Sequence, residues 1–243
     1  MIVLRRPERL KRGQPSAPRA AVLTEALPPL EALGTAFPPY RPLYNAPMDA
    51  EQAAILALPV EGGLIRTEPP GFLRPADALT LYELARHGPG DVLELGAAWG
   101  LSATILCRGV RARGSGRVVS VEIDPAFQRA ATEAIRRAGL ARWHQMRAGD
   151  AGTLLQDAVS RGERFGTVFV DHDHGLEASR LVCRLLPRLL LPGGMALFHD
   201  FNDVRNIGGE YGVYQAVREM LEAGPELALR GLPGCCALVG WGA

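Results

Sequence analysis

The chain has 243 residues, 47% of them hydrophobic and 22% charged, with 27 basic against 26 acidic side chains. That length allows one large α/β domain or a core with an appendage, and the composition is that of a soluble globular protein rather than a disordered one. No window approaches the ~20 apolar residues of a membrane span, and a net charge of +1 makes no electrostatic case for binding nucleic acid.

The start, MIVLRRPERLKRG, has basic residues but no apolar core followed by a small-residue cleavage site, so it does not read as a secretory signal. Residues 1–20 carry six basic side chains against Glu8 alone and read as a solvated tail, with a polyanion or partner contact as the alternative. Thirteen of the nineteen prolines fall in residues 1–75, which argues against long regular elements there. Apolar pieces at 21–33 and 48–58 are expected as short helices docked on the main body or on a second subunit. Residues 1–61 are therefore read as a Pro-rich arm with an oligomerisation or lid role, and a homo-oligomer is expected.

From Pro75 onward strand and helix patterns alternate with little slack. The spacing predicts helix 75–87, strand 91–95, helix 100–112, strand 117–123, helix 125–138 and a strand near 143–148. Helix 151–161, strand 166–171, helix 176–190, strand 194–199, helix 211–222 and two apolar runs at 226–230 and 235–241 follow. Five βα steps ending in a hairpin predict an α/β, doubly wound, mostly parallel sheet with an antiparallel C-terminal hairpin, spanning residues 62–243. Cys107, Cys183, Cys235 and Cys236 lack the paired CxxC spacing of a zinc site, and Cys235-Cys236 should pack inside the last strand. A reducing, cytoplasmic location is expected.

Ligands of open α/β sheets bind outside the carboxyl ends of the strands. Strand DVLEL runs into Gly96-Ala97-Ala98-Trp99-Gly100, a G-x-x-x-G turn rather than the G-x-G-x-x-G of a dinucleotide site. Glu94 in that strand end would repel a diphosphate and suit a cationic or hydroxyl-bearing ligand. The next strand ends in Glu122 and Asp124. Glu122 stands where an acid accepts from ribose hydroxyls, while Asp124-Pro125 reads as a helix cap. Asp150 is open between capping helix 151–161 and accepting from an adenine amine.

ELGAAWG, VEIDP and GDA, in this order and spacing, resemble the S-adenosylmethionine loop of class I methyltransferases, over roughly residues 62–243. The resemblance implies a seven-stranded sheet, S-adenosylmethionine as cofactor, Glu94 and the glycine loop around the methionine end and ribose, Glu122 on the ribose and Asp150 on the adenine. Gly96, Trp99, Gly100 and Asp171 complete the expected cofactor residues, with Trp99 serving mainly as packing.

Methyl transfer from a sulfonium needs an acceptor oxygen held in line and stripped of its proton, and a divalent ion can lower the acceptor's pKa and fix its position together. Asp171, Asp200 and Asn202 offer oxygen ligands suited to Mg²⁺ or Mn²⁺, and a site that uses His199 leans toward Mn²⁺, Fe²⁺ or Zn²⁺. VDHDHGLEAS resembles a segment of the macrocin O-methyltransferase and cephalosporin-hydroxylase-like group, metal-dependent enzymes that methylate hydroxyls of sugars and other natural products. By that resemblance Asp171 binds metal and His174 is the base. The acidic pair of the group falls on His199 and Asp200, so His199 departs from the pattern. Lys11 is the only lysine and lies far from these motifs in the sequence, which leaves histidine as the consistent base. The expected metal set is Asp171, His199 and Asp200, holding Mg²⁺ or Mn²⁺, and the expected partner is a small hydroxylated acceptor. GGEYGVYQAVREM resembles the segment beneath the acceptor, which would turn Glu210, Tyr211 and Tyr214 toward it, although Tyr214, Val217 and Leu221 recur at core spacing. A metal-independent N- or carboxyl-methyltransferase and a non-catalytic S-adenosylmethionine-binding subunit are the alternatives.

Overall fold

The computed structural model describes residues 26–224 and 226–242. The basic segment 1–20 and the beginning of the 21–33 piece lie outside the described residues. In chain order the elements are α1 (Ala50–Leu56), β1 (Val60–Glu61), β2 (Leu64–Ile65), α2 (Pro75–His87), β3 (Val92–Leu95), α3 (Leu101–Arg113), β4 (Val118–Glu122) and α4 (Pro125–Arg137). There follow β5 (His144–Ala148), α5 (Ala151–Ser160), β6 (Phe165–Val170), α6 (Leu176–Leu189), β7 (Leu190–Phe198), α7 (Val213–Ala223), β8 (Leu227–Gly231) and β9 (Ala237–Trp241).

Seven strands form one sheet in the order β5-β4-β3-β6-β7-β9-β8. The β3, β4, β5, β6 and β7 pairings are parallel, and β9 runs antiparallel to both β7 and β8. The expected fold class is therefore the observed one. β3, β4 and β6 are buried along their whole length, as continuous apolar runs require, and β5 at the edge is half exposed. Successive residues face opposite layers. Val92, Val118, Phe169 and Leu197 pack with α2 and α3, while Leu93, Val119, Val168 and Phe198 pack with α5, α6 and α7. Strand order reverses between β3 and β6, so the crevice lies where the loops after these two strands diverge. Among the described residues no helix is long and apolar enough to cross a membrane.

The described part of the arm packs on this body. Leu33 belongs to one core layer, and Leu43, Tyr44 and Ile55 to the other. The 48–58 piece forms α1, capped reciprocally by Asp49 and Gln52. The described part of the 21–33 piece departs from expectation: it holds a single 3-10 turn, Leu30–Ala32, because Pro28-Pro29 before it withholds backbone donors. The β1–β2 hairpin was not expected. Its turn, Gly62-Gly63, has φ of 60° and 79°, the two positive values that a type I′ turn demands.

Candidate active site

The turn after β3 is held from below by Glu122. One carboxylate oxygen accepts from the N–H groups of Ala97 and Ala98 at 3.1 and 3.0 Å, and the other from Ile123 and Asp124 at 2.9 and 3.0 Å. A carboxylate offers roughly four lone-pair sites, and backbone donors occupy all of them here. Gly96 and Gly100 have φ of 87° and 93°. A β-carbon on Gly96 would meet the Asp171 carbonyl oxygen at 2.0 Å, and one on Gly100 would meet the Ala131 Cα at 2.8 Å. Both glycines are thus required by close backbone packing as well as by left-handed geometry.

Glu94 lies beneath this turn with no exposed surface. It accepts a short hydrogen bond from Ser120 Oγ, which also meets His144 Nε2 at 2.9 Å. Burial pushes the Glu94 carboxyl up to about 7, and its second oxygen has no partner. Asp124 caps α4 by accepting from Ala126. Asp150 caps α5, accepting from the Thr153 N–H and hydroxyl, and those bonds hold it below the usual carboxylate range.

Above the turn opens a cleft of about 510 Å³, lined by Gly96 to Trp99 and Ser102 from the turn and its helix and by Asp171, His174, His199 and Asp200 from the ends of β6 and β7. Its volume falls in the range of small-molecule sites. Trp99 meets Phe127 edge-on at 4.9 Å and lies 6.3 Å from Phe72, which makes an aromatic wall.

Four side chains gather at the ends of β6 and β7. His174 Nε2 is 3.1 Å from Asp200 Oδ2 and 3.4 Å from Asp171 Oδ1, and His199 Nδ1 is 3.1 Å from Asp171 Oδ1 and 3.4 Å from Asp200 Oδ1. One potential ligand atom from each lies within 4.8 Å of the others. These are ion-pair distances, yet His174 Nε2 and both His199 nitrogens make no aligned hydrogen bond although buried. Asp200 has φ of 54°, a left-handed conformation that costs a non-glycine residue ~1–3 kcal/mol and concentrates at functional sites. Burial opposes charge on every member, and mutual attraction overrides it. The carboxylates raise His174 to about 9 and hold His199 well above its ordinary value, while the imidazoles hold Asp171 and Asp200 low. Two carboxylates and two imidazoles with unsatisfied nitrogens are a donor set that fits a divalent ion, and the nitrogens favour Mn²⁺, Fe²⁺ or Zn²⁺ over Mg²⁺.

Tyr211 stacks on His174 with centroids 4.5 Å apart and planes at 12°, and Arg205 covers the other side of Tyr211. Tyr211 lines the cleft as expected, whereas Glu210 is exposed outside it. Tyr214 is core, its hydroxyl donating to the Pro28 carbonyl at 2.7 Å. Asn202, read from sequence as a possible oxygen ligand, has its amide engaged by the arm. Its amide oxygen accepts from Gly34 N–H at 2.9 Å and its nitrogen donates to the Ala36 carbonyl at 2.7 Å, so it fastens the arm. Cys235 and Cys236 are buried free thiols.

Sequence reasoning missed Asp77. It is fully buried at the start of α2, accepts from Arg74 and Cys235 N–H at 2.7 and 2.9 Å, and stands 3.8 Å from His199 Nε2. Its only sequence signal is an acid at the third position of a helix, which reads as a cap.

Residues 93–201 match the family model described as a methyltransferase domain. The chain has the class I methyltransferase fold. Solved structures agree on the architecture. The chain is 21% identical to the O-methyltransferase from Bacillus cereus in complex with SAH, with a TM-score of 0.57 and coverage of 80% of this chain and 91% of that one. It is 25% identical to cofactor-bound Rv0187 from MTB, with a TM-score of 0.55 and coverage of 79% and 89%. It is 21% identical to TomG from Streptomyces achromogenes, an O-methyltransferase involved in tomaymycin synthesis and solved with SAM, with a TM-score of 0.54 and coverage of 82% and 92%. No curated protein matches the sequence significantly. The matched segment contains the glycine turn, Glu122, Asp150 and the whole Asp/His cluster, and it stops short of the arm and the residues that precede β3.

Proposed function

We propose that this protein is a methyltransferase that transfers the methyl group of S-adenosylmethionine to a hydroxyl of a small molecule, with Asp171, His199 and Asp200 holding a divalent ion and His174 receiving the hydroxyl proton. One observation carries the reading: Asp171, His174, His199 and Asp200 bring ligand atoms within 4.8 Å of one another in the cleft that the glycine turn also lines. The O-methyltransferases of the same fold, solved with SAH or SAM, support the cofactor and the oxygen acceptor.

Gly96, Trp99 and Asp171 face the cleft and would touch the cofactor directly. Glu94, Gly100, Glu122 and Asp150 act from beneath or beside the turn, fixing its shape; a ribose on Glu122 would share oxygens already held by backbone N–H groups. The Trp99 ring, braced edge-on by Phe127 and lining the cleft, offers a sulfonium cation an aromatic surface. A bound divalent ion would supply a lowered acceptor pKa and a fixed oxygen position. His174, clamped flat by Tyr211, is the group placed to take the proton. Asp171 and Asp200 keep the ring protonated at neutral pH, so it becomes a base only when positive charge beside those carboxylates releases its own proton. The arm reaches the cleft at Phe37, which supports a lid role. A metal-independent transfer is favoured by one fact, that the His174 imidazolium by itself offsets part of the carboxylate charge.

The deciding experiment measures conversion of S-adenosylmethionine to S-adenosylhomocysteine with a panel of hydroxylated acceptors, before and after exhaustive chelation. Turnover that disappears with EDTA and returns with Mn²⁺ is expected. Undiminished turnover after chelation removes the metal from the mechanism, and calorimetry that detects no S-adenosylmethionine binding removes the cofactor.

A further inference from the structure

Two arginines line the cleft, and their situations differ. Arg205 is committed to Asp203, with both of its contacts to that carboxylate at 2.9 Å. Arg74 has no such partner: among the described residues no carboxylate stands within ion-pair distance of its guanidinium. Its position is nonetheless fixed. The guanidinium carbon lies 3.3 Å from the centroid of the Phe37 ring, and its Nη1 is so close to the β1–β2 turn that a β-carbon on Gly63 would approach it to 2.5 Å. Phe37 thus supports one face of the plane and the turn supports one edge. A guanidinium carries five donors in a rigid fork suited to two oxygens of one oxyanion, and held this way it needs little further ordering to accept one.

Location separates Arg74 from the cofactor machinery. The shared methyltransferase segment begins at residue 93 and contains the glycine turn and every expected cofactor residue. Arg74, Phe37 and Leu64 line the same cleft from outside that segment. Arg74 is therefore a charged group of the cleft that the expected cofactor residues do not account for.

We propose that the acceptor carries an oxyanion, a carboxylate or a phosphate, in addition to the hydroxyl that is methylated, and that Arg74 receives it. The inference rests on the methyl-transfer reading above for the meaning of "acceptor", but its test does not depend on turnover. Calorimetry would compare 4-hydroxybenzoate with 4-hydroxybenzamide and glucose 6-phosphate with glucose, using the full chain and its Arg74→Gln and Arg74→Lys variants, with thermal melts as the folding control. The backbone N–H of residue 74 keeps its bond to Asp77 in both variants. In the wild type at least one oxyanion should bind ~10–100-fold more tightly than its neutral counterpart, the scale of a charge-assisted hydrogen bond. That preference should vanish in Arg74→Gln and partly return in Arg74→Lys, while S-adenosylmethionine affinity stays within a factor of about two. The carboxylate and phosphate arms tell which oxyanion the site takes. Equal binding of charged and neutral members, or no binding of either oxyanion, overturns the proposal. A parallel loss of S-adenosylmethionine affinity in Arg74→Gln also overturns it, assigning Arg74 to the cofactor's own carboxylate. Oxyanion binding that depends on Arg74 in a protein that methylates nothing would leave this site standing and sink the methyl-transfer reading instead.

Discussion

At the ends of β3, β4 and β5 the acidic side chains that face the loops, Glu122, Asp124 and Asp150, are employed by the protein's own backbone, whereas at the ends of β6 and β7 the polar groups crowd together without pairing properly. Glu122 accepts four N–H bonds, and Asp124 and Asp150 each cap a helix. At the ends of β6 and β7, three buried imidazole nitrogens of His174 and His199 have no aligned partner, and Asp200 sits in a left-handed conformation. Leaving a buried polar group unsatisfied costs ~1–3 kcal/mol, and strain of that kind persists only where the surroundings enforce it. In one half of the site the loop-facing carboxylates are satisfied by the protein's own backbone, one buried oxygen of Glu94 beneath them being the exception. The other half is incomplete as protein, and its side chains make chemical sense with a cation or a reacting group among them.

The contrast should appear first in activity. Asp200→Ala removes a carboxylate that touches both histidines, and loss of metal-type activation is worth several kcal/mol, so turnover should fall by roughly a thousandfold or more. Calorimetry should show S-adenosylmethionine affinity nearly unchanged, because the cofactor half does not depend on Asp200. His174→Ala should lower the rate by ~10²–10⁴-fold while Mn²⁺ binding survives, with acidic acceptors suffering least. Wild-type turnover in His174→Ala would take the base out of the account, and loss of cofactor affinity in Asp200→Ala would show that the halves are not separable.

Electrostatics sharpens the comparison in the absence of metal. Burial alone would lower His174, but Asp171 and Asp200 raise it to about 9, against an ordinary value of about 6.5. A raised imidazole contributes stability that is fully present below the unfolded value and is lost as pH climbs through the folded one. Metal-free protein should therefore lose up to ~3 kcal/mol between about pH 6.5 and 9, or roughly 6–12 °C of Tm. Asp200 works in the opposite sense: it is depressed, so its contribution is present above the ordinary carboxylate range and disappears as acid protonates it. Thermal melts of chelated protein across this range, repeated with His174→Gln, test the point. The variant should show a flatter alkaline limb, and a wild-type Tm that does not change from pH 6.5 to 9 would mean that the carboxylates do not hold an imidazolium.

The strands and helices after residue 75 were legible because parallel strands buried on both faces are apolar runs broken by Gly and Asp at their carboxyl ends, and the same rule put Asp171, His174, His199 and Asp200 near the site. The Gly62-Gly63 hairpin carried its signal in two adjacent glycines between short apolar pairs and was passed over among the prolines. Other roles were not legible at all. Asn202 looks like a metal ligand in the string FHDFND, and only contact with Gly34, 168 residues away, shows it to be a clasp. Asp77 looks like a cap until Cys235, 158 residues away, and His199 are seen beside it. Local pattern fixes which element a residue occupies, but the partner of a polar side chain is set by the packing of distant segments.

Asn202 also gives the smallest effect and the clearest separation of metal from scaffold. Its amide is buried and makes two well-formed bonds to the arm, through Gly34 N–H and the Ala36 carbonyl. Truncation in Asn202→Ala leaves both backbone groups without that partner, at a cost of ~1–3 kcal/mol, which for a chain of this length lowers Tm by roughly 2–12 °C. The loosened arm should be cut earlier by protease between residues 34 and 44 than in the wild type, because Leu33 and Leu43 would be drawn less firmly into their core layers. Mn²⁺ affinity should stay where it was, since none of the clustered Asp and His side chains bonds to this amide. Asn202→Asp should be the worse of the two substitutions: it keeps an acceptor for Gly34 but sets a negative charge against the Ala36 carbonyl. A variant that melts and resists protease like the wild type yet binds Mn²⁺ tenfold more weakly would return Asn202 to the metal and break the division between arm clasp and reactive wall.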